Sequence, residues 1–472
     1  MPELLLGLDI GTSTLTACLF APNGDLLART SAPVRTTMPA PGHVEQDAAR
    51  IWSGTRQVIK AALSAAGRQP SDLAAIGVTS QRTSAVLWDR RTGRPLTPLV
   101  NWSDLRGAAR AGELMAQGHM VFPQQASAKL EAMRASVPAG ADIAFGNIDS
   151  YIIFKLSGHA AHLTDASQGW PTGYLSLGAG WNTALIEHQG LSDVAFPHLT
   201  DTWGHLAVTH PSVFGCKIPI CADMADQQAA RVGQGAEAAG ACKITFCTSA
   251  MVDVSTGDQF VYGGPTIPPF VLSSVAGQTR FCIEGMVYSA GSGLDWLRAA
   301  FRLGDAGRFD ALAAGATDGG GVFVLPAFQG LGAPYGDLGK RAVIGGLSLA
   351  TTPAQIARAG VEGLACRVRE VVDHLYAQSS MARPEVLRAD GGLTSSDVLM
   401  QASADVLGGP IARHAHREAT ACGAAICAGR GAGVLAPADE AGFVRYDRTF
   451  EPGVSADQSD ARFEGWKRLA YT

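Results

Sequence analysis

Residues 4–20 read LLLGLDIGTSTLTACLF, and the reading of this stretch decides the fold. An apolar run reaches Asp9, breaks at Gly11-Thr12-Ser13-Thr14, and resumes as a second apolar run. The pattern predicts a buried strand, a tight hydroxyl-rich turn and a returning strand. Gly11 lets backbone amides approach an anion, and the hydroxyls of Thr12, Ser13 and Thr14 add donors. Asp9, at the end of the buried strand, is placed to hold a metal ion, directly or through water. Phosphate chemistry is the first candidate this stretch raises.

Working outward, the pattern continues as α/β. A third strand is predicted over residues 26–32, a helix over 47–65, a strand over 73–79 and another over 84–88. The helix carries Ile51, Trp52, Val58, Ile59 and Ala62 near helical spacing. Residues 147–156 read as a further helix, 157–185 as Gly-rich and irregular, and 223–233 as a helix start after a strand and loop. Near Gly240 the theme restarts. A strand over 243–249 ends in Cys247-Thr248-Ser249-Ala250 and is followed by a strand over 251–254. This second hydroxyl-rich turn suggests two related lobes, residues 1–239 and 240–472, each offering one phosphate-binding turn. Farther on, a long amphipathic helix is predicted over 352–376, and Asp390-Gly391-Gly392 follows a short strand. Residues 420–432 form a helix of small side chains suited to very close packing. No linker is long or low in complexity, so the lobes are expected to share a compact hinge.

Composition bounds the function. At 472 residues the chain exceeds the size at which one core keeps growing, so two domains are the default. Apolar residues make up 47% and charged residues 17%, the balance of a well-packed protein rather than a disordered one. A net charge of -5 with no long basic block argues against a nucleic-acid partner. No apolar stretch is long enough to span a membrane, and residues 1–8 lack a basic region and cleavage site. The nine scattered cysteines read as reduced thiols in a cytoplasmic protein, without the pairing a zinc site needs. The oligomeric state is left open, a homodimer or homotetramer included.

Three loops follow apolar strands, at residues 9–14, 247–250 and 390–392. Each alone is a common tight turn; together they fit a nucleotide in a cleft. There is no GxxxxGK[ST], which excludes a P-loop kinase, and no GxGxxG opening a βαβ unit. Asp226, in Asp223-Met224-Ala225-Asp226-Gln227-Gln228, is the candidate base for deprotonating an alcohol in line with a phosphoryl group. Taken alone it reads equally as a helix N-cap. Arg82 can donate paired hydrogen bonds to hydroxyls, and Trp102 can lie against the carbon face of a polyol. A surface ion pair and a core tryptophan are their plainer readings.

With these residues assembled, the chain resembles the FGGY carbohydrate kinase family over nearly its whole length, closest in pattern to the glycerol kinases within it. Asp9-Ile10-Gly11-Thr12-Ser13 resembles the first phosphate motif, Gly77-Val78-Thr79-Ser80-Gln81-Arg82 the substrate loop, and Trp102-Ser103-Asp104-Leu105-Arg106 the Trp-x-Asp-x-Arg segment. Thr164-Asp165-Ala166-Ser167, Gly330-Leu331-Gly332-Ala333-Pro334-Tyr335, Asp390-Gly391-Gly392 and Phe450-Glu451-Pro452 follow in the family's order. The resemblance implies two actin-like, ribonuclease H-like lobes with ATP in the cleft between them and Mg²⁺ near Asp9. It implies an ATP-dependent carbohydrate or polyol kinase whose catalytic base is Asp226. Gln227, Arg82 and Trp102 then hold a small polyol or sugar. Gly11, Thr12, Ser13, Thr14, Thr248, Ser249, Gly330, Gly391 and Gly392 face the nucleotide, most of the binding coming from the second lobe.

Departures from the family pattern bear on the acceptor. Thr83 stands where glycerol kinases carry a Glu, Met251 replaces a pocket aromatic, and Thr16 replaces a basic residue after the first turn. Losing one contact to a hydroxyl changes discrimination by orders of magnitude. A four- or five-carbon polyol or ketose is therefore an alternative acceptor. A degenerate protein that binds ATP or sugar without transfer, and an actin-like ATPase, are the alternatives to a kinase. The Met-His-Gly loop of xylulose-type kinases is absent at residues 80–82.

Overall fold

The two apolar runs around the first turn pair as an antiparallel hairpin, Leu4–Ile10 (β1) and Thr14–Phe20 (β2), with Leu6 opposite Leu19 and Asp9 opposite Thr16. The computed structural model describes residues 2–415 and 418–471. Those residues form two compact units. The first comprises the chain up to Gly233 together with Val271–Thr279 and Glu418–Val444. The second comprises residues 234–270, 280–415 and 445–471. The units are thus not the two contiguous halves that a division at residues 239 and 240 describes. Among the described residues no helix is long and apolar enough to cross a membrane.

The first unit is built on a sheet that adds Leu26–Pro33 (β3), Leu73–Ser80 (β4), Trp203–Val208 (β5) and Pro219–Ala225 (β6) to the hairpin. Its order is β5-β6-β4-β1-β2-β3. β1, β4 and β6 run parallel, and β2, β3 and β5 are antiparallel to their neighbours. The central strands are buried on both faces, which is why they read as continuous apolar runs rather than alternating ones. One face is covered by Ala48–Ala65, whose N-cap Asp47 accepts from the backbone amides of Ala49 and Arg50.

The small-residue helix Ala419–Ala432 covers the sheet at backbone distance. A Cβ on Gly7 of β1 would lie 1.8 Å from the Ala421 carbonyl oxygen, and one on Gly77 of β4 would lie 2.0 Å from that of Ala424. Glycine is required at both places by this approach. Ile426 and Cys427 are fully buried on the helix. Burying a side chain the size of Ile426 contributes about 1.5–3 kcal/mol. This packing draws a segment late in the sequence into the first unit.

The second unit repeats the design. Cys242–Phe246 (β7) and Ala250–Gly257 (β8) form its hairpin. Pro269–Val275 (β9) falls mostly in the first unit; Gln278–Val287 (β10), Leu387–Asp390 (β11), Ile411–His414 (β12) and Tyr446–Phe450 (β13) extend the hairpin into a sheet with the order β10-β8-β7-β11-β12-β13. Read from β10 to β13, the strand directions match those from β3 to β5 in the first unit. The helix Pro353–Ser379 is buried against this sheet and is opened by a capping box between Thr352 and Gln355.

Candidate active site

Register decides which loops of the first unit meet. Asp9 on β1 stands opposite Thr79 on β4, and Ser80 on β4 stands opposite Ala225 on β6. The three parallel strands therefore end together, and the segments that follow them leave from one edge. These are residues 11–14, residues 81–83 and the helix Asp226–Gly233. The carboxyl ends of parallel strands are where ligands bind in α/β sheets. The strand before Asp226 runs straight into the helix. The loop expected there is absent, and Asp223, Met224 and Ala225 are strand residues rather than a helix start.

A chain of buried amides ties these loops together. Thr12 Oγ1 donates to Gln81 Oε1 at 3.2 Å and accepts from Trp102 Nε1 at 3.0 Å. Gln81 Nε2 donates to Gln46 Oε1 at 2.8 Å, and Gln46 Nε2 donates to the Thr12 carbonyl at 2.6 Å. Asn101 Nδ2 donates to Gln81 Oε1 at 3.0 Å. Gln46, Gln81 and Asn101 are buried, so each amide is worth more satisfied than exposed. The turn itself closes with Gly11 N–H donating to the Thr14 carbonyl at 3.1 Å, leaving the side chains of Ser13 and Thr14 exposed. Trp102 is 40% exposed, which rules out the core-tryptophan reading.

Asp226 opens its helix, accepts from the Gln227 amide at 2.7 Å through Oδ1, and lies 4.0 Å from Arg82 Nε. The helix N-terminus and the guanidinium both stabilise negative charge there. Asp9 is different. Its Oδ1 is buried with no hydrogen-bond partner among the described residues. Burial first, then the nearby charges of Asp226 and Glu418, push its carboxyl well above the usual range. An orphaned carboxylate oxygen among negative charges suits a hard divalent cation. Thr16, buried opposite Asp9 in the ladder, offers a hydroxyl but no positive charge. Thr83 sits at φ 53°, a left-handed conformation uncommon for a β-branched residue, and its hydroxyl donates to the Arg82 carbonyl at 2.8 Å.

The segment read as irregular, residues 157–185, supplies the clamp that holds two of these strand ends. Asp165 caps the short helix Ala166–Gly169, and Ser167 Oγ accepts from the Ala225 amide at 2.9 Å. Gln168 Nε2 donates to Ser80 Oγ at 2.8 Å and to the Met224 carbonyl at 3.4 Å. The residues just before Arg82 and Asp226 are thereby fixed to each other.

Beneath the clamp, Asp149, Asp165 and Asp223 lie buried together, a cluster the sequence pattern did not single out. Burial raises all three, Asp149 and Asp165 to about 6 and Asp223 further, the last also by the charges of the other two. Since these carboxyls hold protons longer in the folded chain than in the unfolded one, folding stability falls as pH rises from the usual carboxylate range through the raised values. The slope is about 1.4 kcal/mol per pH unit for each carboxyl still protonated. Asp223→Asn removes the highest-titrating group, so its thermal midpoint should fall less than the wild-type midpoint as pH rises above about 6. Parallel slopes for the two proteins in that window would show that Asp223 carries no such proton.

In the second unit the corresponding edge is formed by β7 and β11, with Thr245 opposite Asp390. The turn at residues 247–249 closes with Cys247 N–H donating to the Ser249 carbonyl at 2.9 Å. Thr248 is exposed, and its carbonyl accepts from the Ala290 and Ser292 amides at the start of the helix Gly291–Ala300. Gly391 adopts φ 95°, and a Cβ there would sit 2.3 Å from the Phe246 carbonyl oxygen, so residues 391–392 lie against the end of β7. Gly392 is exposed with open space around it. Gly330 is buried at φ 86° against the backbone of Asp337 and Leu338, a local requirement for glycine. Met251 is buried on β8 between Thr245 of β7 and Met286 of β10. Under the turn, Lys243 pairs with Asp253 at 3.1 Å, both fully buried.

The first unit therefore brings Asp9, Thr12, Arg82, Trp102, Asp226 and Gln227 to one edge, and the second brings Thr248, Ser249, Gly391 and Gly392 to another. Sequence reasoning missed Gln46, Asn101, Gln168 and Lys129. Asn101 and Gln168 adjoin the family-like segments 102–106 and 164–167, whereas Lys129 adjoins none.

Residues 4–233 match the N-terminal domain, and residues 242–432 the C-terminal domain, of the FGGY family of carbohydrate kinases. The chain is similar to a glycerol kinase of Rhodospirillum rubrum, at 35% identity over 98% of this chain and 97% of that protein. In structure it is similar to a Plasmodium falciparum glycerol kinase solved with ADP, with TM-score 0.91 at 23% identity over 99% of this chain and 97% of that one. A xylulose kinase from Rhodospirillum rubrum superposes with TM-score 0.85 at 26% identity, covering 99% and 98% of the two chains.

Proposed function

The chain belongs to the FGGY family of carbohydrate kinases, and we propose that it moves the γ-phosphoryl group of ATP to a hydroxyl of glycerol or a similarly small polyol or ketose, with Asp226 as the base. It has the two-lobe α/β fold of that family and is an ATP-dependent carbohydrate or polyol kinase. The observation that carries the residue assignment is the common edge from which residues 11–14, Arg82 and Asp226 emerge.

In this reading Asp226 accepts the proton of the acceptor hydroxyl as the phosphoryl group moves. Arg82 and Gln227 hold the acceptor by hydrogen bonds, and Trp102, pinned by Thr12, packs on its carbon face. Thr83, shorter than the Glu of glycerol kinases, leaves room and one acceptor fewer beside Arg82. Met251 takes part in the pocket by its bulk. Gly11, Thr12, Ser13 and Thr14 donate to phosphate oxygens in the first unit, and Thr248 and Ser249 do so in the second. Gly330, Gly391 and Gly392 let backbone approach the nucleotide. Asp9 fits Mg²⁺ by its orphaned oxygen. The ion would neutralise phosphate charge there. The nine cysteines, none in a disulfide, suit a reducing compartment such as the cytoplasm.

An ADP-release screen over glycerol, erythritol, the pentitols, ribulose and xylulose tests the proposal. Release should rise strongly with one compound and stay near background without it. ADP release that no acceptor stimulates would favour an actin-like ATPase. Nucleotide binding without release would favour a degenerate binding protein.

A further inference from the structure

Lys129 is fully buried on the helix Ala126–Ala135, which also buries Ala126, Leu130 and Met133. An ammonium without water is costly unless it is tightly bound. Its Nζ donates to the carbonyl of Asn101 at 2.9 Å. Asp104, whose negative charge acts on Lys129, is already engaged. It accepts from the Val44 amide and from Arg106, which also pairs with Glu45. Burial therefore pulls the Lys129 ammonium down to about 8, with Asp104 opposing the fall and Arg106 adding to it. The other charged groups around it are satisfied elsewhere. Arg110 of the helix Ala108–Ala116 pairs with Glu131 and Glu113, and the Tyr174 hydroxyl bonds Gln189.

The carbonyl that Lys129 holds belongs to the residue before Trp102. The side chain of that residue also bonds Gln81, which in turn receives Thr12. We propose that Lys129 is a positioning residue: by gripping the Asn101 carbonyl it fixes Trp102 against Thr12, and so sets the acceptor-facing wall and the first phosphate turn together. This rests on the kinase reading above and adds to it a buried cation that no substrate touches. The grip is a charge-assisted hydrogen bond while the amine is protonated and a weaker neutral one when it is not. The wall should loosen as pH rises through the Lys129 titration.

The test uses the full chain and its Lys129→Gln and Lys129→Met variants. The emission of Trp102 is isolated by difference from a Trp102→Phe version of each protein. In the wild type this emission should change with a midpoint near pH 8. In Lys129→Gln, whose amide still donates to the carbonyl but does not titrate, that transition should vanish. Lys129→Met should raise the acceptor KM about tenfold or more, the loss of one charge-assisted bond, and the ATP KM by less, through the first phosphate turn. A transition that persists in Lys129→Gln, or an unaltered acceptor KM in folded Lys129→Met, would overturn the proposal. If no polyol supports turnover, the kinase reading fails by itself, and the fluorescence transition still decides whether Lys129 grips the wall. Failure of Lys129→Met to fold leaves the Lys129→Gln arm to decide.

Discussion

Asp226→Asn should lower kcat by about 10²–10⁴-fold, the range for losing a general base. The amide keeps the size of the side chain and can still accept from the Gln227 amide, as Oδ1 does now at 2.7 Å. The helix start and the clamp by Ser167 and Gln168 do not involve the lost charge. The fold and nucleotide affinity should therefore survive. What disappears is a site for the proton and the negative partner of Arg82, 4.0 Å away. Steady-state kinetics with the acceptor found in the ADP-release screen, alongside nucleotide titration, separates the two. Turnover within a few-fold of wild type would remove Asp226 from the role of base.

Gly423→Ala should be the most damaging substitution away from the site. The added Cβ would lie 1.8 Å from the Ala229 carbonyl oxygen and 2.8 Å from the Gly233 amide nitrogen. Alanine gains at most about 1 kcal/mol over glycine by helix propensity. Backbone atoms cannot rotate away as a side chain would, so overpacking of about 1–3 kcal/mol or more wins. The helix that must retreat is Asp226–Gly233, which carries the base at its first residue. A displacement near 1 Å there costs about 10²-fold in rate. The variant should thus lose both stability and kcat, read by thermal melting and kinetics. Gly112→Ala, in an exposed helix position with nothing within 4 Å of its Cβ, is the control and should be neutral or slightly stabilising. A Gly423→Ala protein as stable and active as the control would show that the two helices yield freely.

Much of the architecture was legible because it is local. The hairpin around residues 11–14, the helix Ala48–Ala65 with its Asp47 cap, and the repeated hairpin around residues 247–249 each follow from apolar runs and turn residues. The close-packing helix Ala419–Ala432 was legible from its small side chains, but not its destination. That is set by Gly7, Gly77 and Gly233, hundreds of residues earlier, which leave room for backbone contact. The segment 157–185 looked irregular because its elements are short. Thr164, Asp165, Ser167 and Gln168 act through hydrogen bonds to other elements, two of them strand ends, which leave no periodic trace.

The sequence by itself determined the two hydroxyl-rich turns, the candidate base and the kinase class, since each is carried by residues adjacent in the chain. Tertiary structure alone decided that residues 11–14, Arg82 and Asp226 share one edge, because strand register places them there. It alone turned Lys129 and the three aspartates Asp149, Asp165 and Asp223 from ordinary charged letters into buried groups. The physical reason is desolvation. A lysine or aspartate has its usual chemistry in water, and only the packing of distant segments around it decides whether water is there.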